Sequence, residues 1–455
     1  MGTARSLCVL GLYFADFEVI VKRLSQCVLG LTIGVALSAP GIAAAETPIG
    51  EANGFRFFLD GRINAFASTG FGDAYPEPPL VDPDGDGPLQ PATTYSIANG
   101  SGYLTNQSTE DNEYFGVRMR SGFVSNVFGF GFVRDVNRTT ELRGYIGIWG
   151  TIETQSRWKY VPIYADVREG YLKLSGPWGS LLAGRTLGLF GLGSTQQDGK
   201  YLHGYGLGHP CETNGLDEAG PACGQIGHGV MFPGFSPGFV YTTPRVAGLA
   251  LAAGLYDPAI FGGVAERTPY PRPEAELSFD MDLSPNVRVH AFGSGVWQRL
   301  GANGTASSKD VHAYGVSYGA SLEAGPFRVA GSGFYGPGLG FGIALDGSPA
   351  AVRVDAEKNI DLHTFDGYFG VVGVKLDELE LGLGAGISRL HLLEVEKNLV
   401  NTSLPKTQFG VSAAGYYHFT DYLVAGLDYF RAQYDWYLGD RQVVNFINAG
   451  VTVHW

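Results

Sequence analysis

The last thirteen residues, Val443 to Trp455, read V-V-N-F-I-N-A-G-V-T-V-H-W. Successive side chains of an extended chain point to opposite sides. Ile447, Ala449, Val451, Val453 and Trp455 therefore make an apolar face, and Asn448, Gly450, Thr452 and His454 a small or polar one. Such a strand suits a wall between an apolar medium and water. Ending on an aromatic side chain, it predicts an all-β fold, a transmembrane antiparallel β-barrel whose strands alternate apolar-out and polar-in.

Composition agrees. Of 455 residues 45% are hydrophobic and only 16% charged, against about a quarter charged in ordinary soluble domains. Glycine (68 residues) and aromatics (28 Phe, 24 Tyr, 6 Trp) fill the gap. Aromatics suit the girdles at lipid headgroups, and glycine suits curved or crowded strands. The net charge of −13 argues against a nucleic-acid partner, whose footprint is basic. It says nothing of ion preference, which a pore decides locally.

The apolar stretch Val28 to Ala45 follows Lys22 and Arg23 and ends Ala43-Ala44-Ala45. Basic start, apolar middle and small-residue exit predict a secretory signal over 1–45, with the barrel over 46–455. Residues 1–20 precede the basic start and carry Asp16 and Glu18, which points to translation beginning near Val21. Gln26 stands before Cys27 where a lipid-anchor motif needs a small residue, so lipidation is not expected. Outside the leader only Cys211 and Cys223 remain. In an oxidising compartment they are expected to pair, stabilising the short loop by about 3 kcal/mol in the chain-entropy picture.

Alternating segments number sixteen, at roughly 55–68, 113–133, 140–153, 164–175, 179–186, 237–243, 246–256, 272–283, 286–299, 311–323, 326–336, 364–376, 379–391, 406–419, 422–435 and 443–455. Short turns such as Gly176-Pro177-Trp178 and Ala324-Gly325-Pro326 alternate with long connections at 69–112, 187–236, 257–271, 337–363 and 392–405. Short periplasmic turns opposite long extracellular loops, with an even strand count, are the asymmetry of outer-membrane barrels. In the first strand Phe57, Leu59, Ile63 and Ala65 oppose Asp60, Arg62 and Asn64. A charge facing hydrocarbon costs about 2–4 kcal/mol at the midplane, so the charged set should face the lumen. Sixteen strands enclose water, whereas about eight would be filled by side chains.

The stretch Arg168 to Arg185, R-E-G-Y-L-K-L-S-G-P-W-G-S-L-L-A-G-R, resembles the Gram-negative general-diffusion porins at the hairpin before their long third loop. Tyr171, Leu174, Gly176, Gly179, Gly184 and Arg185 stand in place, with Lys173 for a Gly and Trp178 for a Phe. Phe239-Val240-Tyr241-Thr242-Thr243-Pro244 and Gly61-Arg62 are similar to two further pieces of that family. The resemblance implies a homotrimer in the outer membrane, in contact with lipid, passing small hydrophilic solutes and ions by passive diffusion. It also implies a third loop folded into the pore, facing basic side chains on the opposite wall. Carried over by position, Arg62 and Arg185 are the leading basic candidates, followed by Arg118 and Arg120. Opposed charges across a narrow wet gap would set up a transverse field that penalises apolar solutes. The bland alternative is that these arginines only solvate the wall. The loop lacks the family's compact acidic cluster; its acids are Asp198, Glu212, Asp217 and Glu218, the last three inside the expected Cys211–Cys223 ring.

Weaker patterns complete the reading. Asp82, Asp84 and Asp86 open like a calcium loop with Gly87 at the sixth position, but Thr93 stands where a bidentate Glu belongs, so a solvated acidic turn is the expectation and no cofactor is required. His203, His209 and His228 share the third loop without a ligand spacing. Neither Gly-x-Ser-x-Gly nor His-Glu-x-x-His occurs, and no enzyme is expected. A substrate-selective channel for sugars or anions, tracked by Tyr201, Tyr205, Phe232 and Phe235, is the nearest competitor. A plugged barrel serving adhesion or structure is the alternative of another class.

Overall fold

The structure is a computed structural model that describes residues 46–73, 80–81, 90–91, 113–150, 152, 165–210, 222–259, 270–300, 311–345, 351–354, 360–397 and 404–455. The expected leader 1–45, the acidic turn with Asp82, Asp84 and Asp86, and Cys211, Glu212, Asp217 and Glu218 lie outside these residues.

Sixteen antiparallel strands close into one cylinder. In chain order they are β1 (Phe55–Asp73), β2 (in two pieces, Glu113–Arg120 and Asn126–Asn137), β3 (Thr140–Gly150), β4 (Ala165–Gly176), β5 (Gly179–Leu187), β6 (Phe235–Thr242), β7 (Leu249–Tyr256) and β8 (Arg272–Ser284). They continue as β9 (Val287–Leu300), β10 (Val311–Ala324), β11 (Phe327–Pro337), β12 (Thr364–Leu376), β13 (Leu379–His391), β14 (Pro405–His418), β15 (Leu423–Trp436) and β16 (Arg441–His454). Every predicted strand is present. β1 extends five residues beyond its predicted end, and β2 is interrupted at 121–125. Both pieces of β2 pair with β1, Met119 opposite Ala67 and Phe130 opposite Leu59.

β16 closes the ring on β1, with Ile63 opposite Val453 and Thr69 opposite Ile447. A short strand that the alternation did not reveal, Thr47–Ala52, pairs with the start of β1 from Leu59 to Phe55 and so prolongs the line of β16. The two chain ends meet at Gly61, whose N–H and C=O are both hydrogen-bonded to Trp455, at 2.9 and 3.0 Å.

The pleat sorts side chains as predicted. Ile63, Phe115, Val117, Phe239, Leu383 and Val451 are exposed on the outside. Asn64, Ser68, Arg120, Ser294, Ser412, Asp428, Asn448 and Thr452 are buried on the lumen side. Backbone groups find their partners within the cylinder, the condition for irregular-free passage through hydrocarbon.

Candidate functional site

The third loop leaves β5 and returns as β6, carrying the helix α1 (Leu192–Asp198), which Gly191 starts in the left-handed region at φ 84°, followed by one π-helical turn over Gly199–His203. The loop lies inside the barrel because the wall supplies what its backbone needs. Buried N–H and C=O groups require partners, and side chains of β8 and of β13 to β16 provide several of them. Glu274 of β8, paired with Arg272 at 2.8 Å, accepts the N–H groups of Leu189 and Phe190 at 2.7 and 2.9 Å. Asp428 of β15 accepts those of Leu207 and Gly208 at 2.8 and 3.1 Å, and Asn448 of β16 donates to the Gly208 carbonyl at 2.8 Å. Tyr416 of β14 donates to Leu202 O at 2.5 Å. On the return limb Ser388 of β13 accepts from Gly229 N–H at 2.9 Å, and Gln225 accepts from Ser412 at 2.8 Å. Gly229, at φ 91°, lies so close to the Tyr368 backbone of β12 that no side chain fits there. Phe190 and Met231 add an apolar anchor with Val296, Phe334, Leu339 and Phe341.

Between α1 and the inner faces of β8 to β10 a cavity of about 680 Å³ remains. Its loop side carries Gln196, Gln197, Lys200 and Tyr201; its wall side carries Glu276, Asp280, Asp282, Arg288, His290 and Glu323, with Arg245 from the turn between β6 and β7. The charges are interlocked. Lys200 pairs with Glu323, Arg245 with Asp280 at 2.8 Å and Arg288 with Asp282 at 2.7 Å. His290 shares Asp280 at 2.7 Å, and Tyr201 donates to Glu323 at 2.9 Å. Burial acts to lower the Lys200 pKa, but Glu323 and Tyr201 outweigh it and hold the ammonium above its ordinary value. This is a wet, charge-lined gap.

The sequence-selected arginines part company here. Arg62 meets the loop: it donates to Gly204 O at 2.5 Å and its guanidinium carbon lies 5.3 Å from the centre of the Tyr205 ring. Arg118 and Arg120 fall on the same inward alternation of β2, Arg120 deeply buried. Arg185 instead lies along the wall, donating to Val167 O at 3.2 Å and 3.6 Å from Asp166. Asp198 is buried within the loop, bonded to His203 at 2.6 Å and accepting from Gln225 N–H at 2.9 Å. Arg288 and His290 alternate with Val287 and Val289 along β9, a pattern that by itself puts them on the lumen side, but the acids opposite them on β8 and Lys200 on the loop carry no motif. Only the register of β8 to β10 and the fold of the loop bring them together.

The three loop histidines are buried and adjacent, His209 and His228 with ring centres 4.5 Å apart, and no metal-holding group of three His, Cys, Asp or Glu occurs among the described residues. Both ring nitrogens of His209 face carbonyl oxygens, Pro210 at 2.7 Å and Ile226 at 2.8 Å. Burial dominates these two contacts and pushes its pKa down to about 4. Burial and the neighbouring His209 push His228 well below its ordinary value. For His203 burial acts downward but the charges of Asp198 and Asp428 outweigh it, and its pKa is raised. Cys223 is buried beside this cluster.

No family model matches the sequence, and no curated protein matches it. Solved structures share the fold. An outer membrane channel, DcaP of Acinetobacter baumannii, superposes with a TM-score of 0.62 at 14% identity, over 90% of this chain and all of the other. An anion-selective porin from Comamonas acidovorans gives 0.52 at 10% identity over 88% of this chain and all of the other. Salmonella typhi OmpF, in complex with daunomycin, gives 0.51 at 11% identity, over 88% of this chain and 98% of the other. At such identities the likeness establishes the fold, that of the sixteen-stranded porins.

Proposed function

We propose that this porin-fold chain is an outer-membrane channel through which small hydrophilic solutes and ions diffuse passively, with the gap between α1 and β8 to β10 as part of its route. The carrying observation is the combination of an apolar exterior with a polar cavity bounded by paired charges inside one closed cylinder. Such a lining favours hydrated solutes, and paired charges across a narrow gap discriminate by polarity. No bond is made or broken in this reading. Arg62, Arg118 and Arg120 belong to it as positive groups on the lumen side.

The reading includes a cleaved leader over 1–45, a Cys211–Cys223 disulfide closing part of the loop, and a homotrimer. The trimer rests on the family resemblance, and closed threefold symmetry is physically ordinary. Reconstitution into planar bilayers tests the channel: stepwise current in KCl is expected, together with swelling of proteoliposomes in small sugars. A barrel that passes neither current nor sugar is plugged, and the reading fails. A reversal potential in a salt gradient, measured again for Arg62→Ala, should shift toward cations as a lumen positive charge is lost.

A further inference from the structure

The cavity beside α1 holds four carboxylates and three permanent cations, and each cation has its acid. Glu276 is left over. Among the described residues no ion pair or hydrogen bond reaches it, and its Oε2 is buried without a protein partner. Across the same gap Gln197 projects from α1, only 3% exposed, with both amide atoms unpartnered. In register with Glu276 stand Ser294 on β9 and, beyond it, Ser317 on β10. Their hydroxyl oxygens are likewise buried without protein partners. Unmet polar groups inside a fold are costly, about 1–3 kcal/mol each and more for a charge, and most such groups are satisfied. Two of them, Glu276 and Gln197, line one cavity, and such a pair is a receptacle.

We propose that Glu276 and Gln197 form a transit subsite for small organic cations carrying a primary ammonium or guanidinium group. This rests on the channel reading and gives that channel its preferred solute class. The carboxylate supplies the one uncompensated charge in the gap, and charge-assisted hydrogen bonds to it are about twice as strong as neutral ones. The Gln197 carbonyl accepts a second N–H of the same group, and its amide N–H donates to a hydroxyl or carbonyl next to the cation. Anions meet a charge of their own sign at this point and are repelled. A bare divalent ion finds too few oxygens, since calcium takes six to eight.

The test is block of single-channel KCl current by guanidinium and by 1,4-diaminobutane, with glucose as the neutral control. Wild type should show saturable block by both cations and none by glucose. Glu276→Gln should weaken that block at least tenfold, as loss of a charge-assisted pair implies. Gln197→Glu, which adds a carboxylate at the same gap, should tighten it. Passage of both cations without saturable block, or equal block in wild type and Glu276→Gln, overturns the subsite while KCl current leaves the channel standing. Absence of any KCl current in wild type removes the channel itself, and the subsite with it.

Discussion

Gly61 shows how much one residue can carry. A Cβ built there would sit 2.5 Å from the Trp455 ring and 2.7 Å from the Val127 carbonyl oxygen. The ring could swing aside, but the carbonyl belongs to the wall ladder of β2, where Val127 is opposite Arg62. Gly61→Val therefore forces the seam apart where the two chain ends close the cylinder. Overpacking of this kind costs about 1–3 kcal/mol. The expected outcome is a lower urea midpoint for the barrel in detergent, with an unchanged midpoint arguing that the seam tolerates the methyl groups.

At the scale of the element, the third loop is held at two carboxylates, Glu274 under its first limb and Asp428 under its tip. Asp428→Ala leaves the Leu207 and Gly208 N–H groups buried without acceptors, at about 1–3 kcal/mol each. The wall keeps its ladder, so the loop and not the barrel should loosen. Trypsin cleavage at Lys200 would report it, expected in Asp428→Ala and suppressed in wild type. Docking should also depend on pH. His209, with its docked pKa near 4 against an ordinary 6.5, binds a proton more readily when undocked. Its contribution, about 3 kcal/mol, is therefore complete above pH 6.5 and lost as pH falls toward 4. His228 has the same sign. His203, raised by Asp198 and Asp428, has the opposite sign: its contribution is full below pH 6.5 and declines as pH rises through its docked value. Two against one, the loop should loosen as pH falls from 6.5 to 4, read as lost hydrogen-exchange protection of its amides in intact barrels. His209→Gln should flatten that dependence.

At the scale of the whole molecule, the cylinder divides two solvents, and a substitution is judged by the side on which it falls. Leu383 is 60% exposed on the outer face near the middle of β13. Leu383→Arg places a charge in hydrocarbon and should cost about 2–4 kcal/mol of stability in lipid, read from urea unfolding in bilayers. The same residue introduced at Ser278, which lines the cavity, escapes that penalty and should move the reversal potential toward anions. If both variants were equally destabilised, the inside-outside assignment would be wrong.

The period-two pattern in Val443 to Trp455 and its fifteen counterparts fixed the strand number, the side each residue takes and the sorting of turns from loops, because a pleated chain between lipid and water has no other way to place its side chains. Local composition also marked Arg62 as a lumen group. What it could not carry was partnership across the chain. Asp428 reads as one more polar residue of an alternating strand until Leu207 and Gly208 arrive beneath it, and Thr47–Ala52 is invisible until β1 offers it an edge. Asp198 reads as a pore acid, yet folding turns it inward to His203 and Gln225. The cavity itself arises where a loop of no regular period meets three strands in register. Strand alternation is a local steric property, written residue by residue; the seating of a loop depends on which distant groups satisfy its backbone, and only the closed tertiary structure decides that.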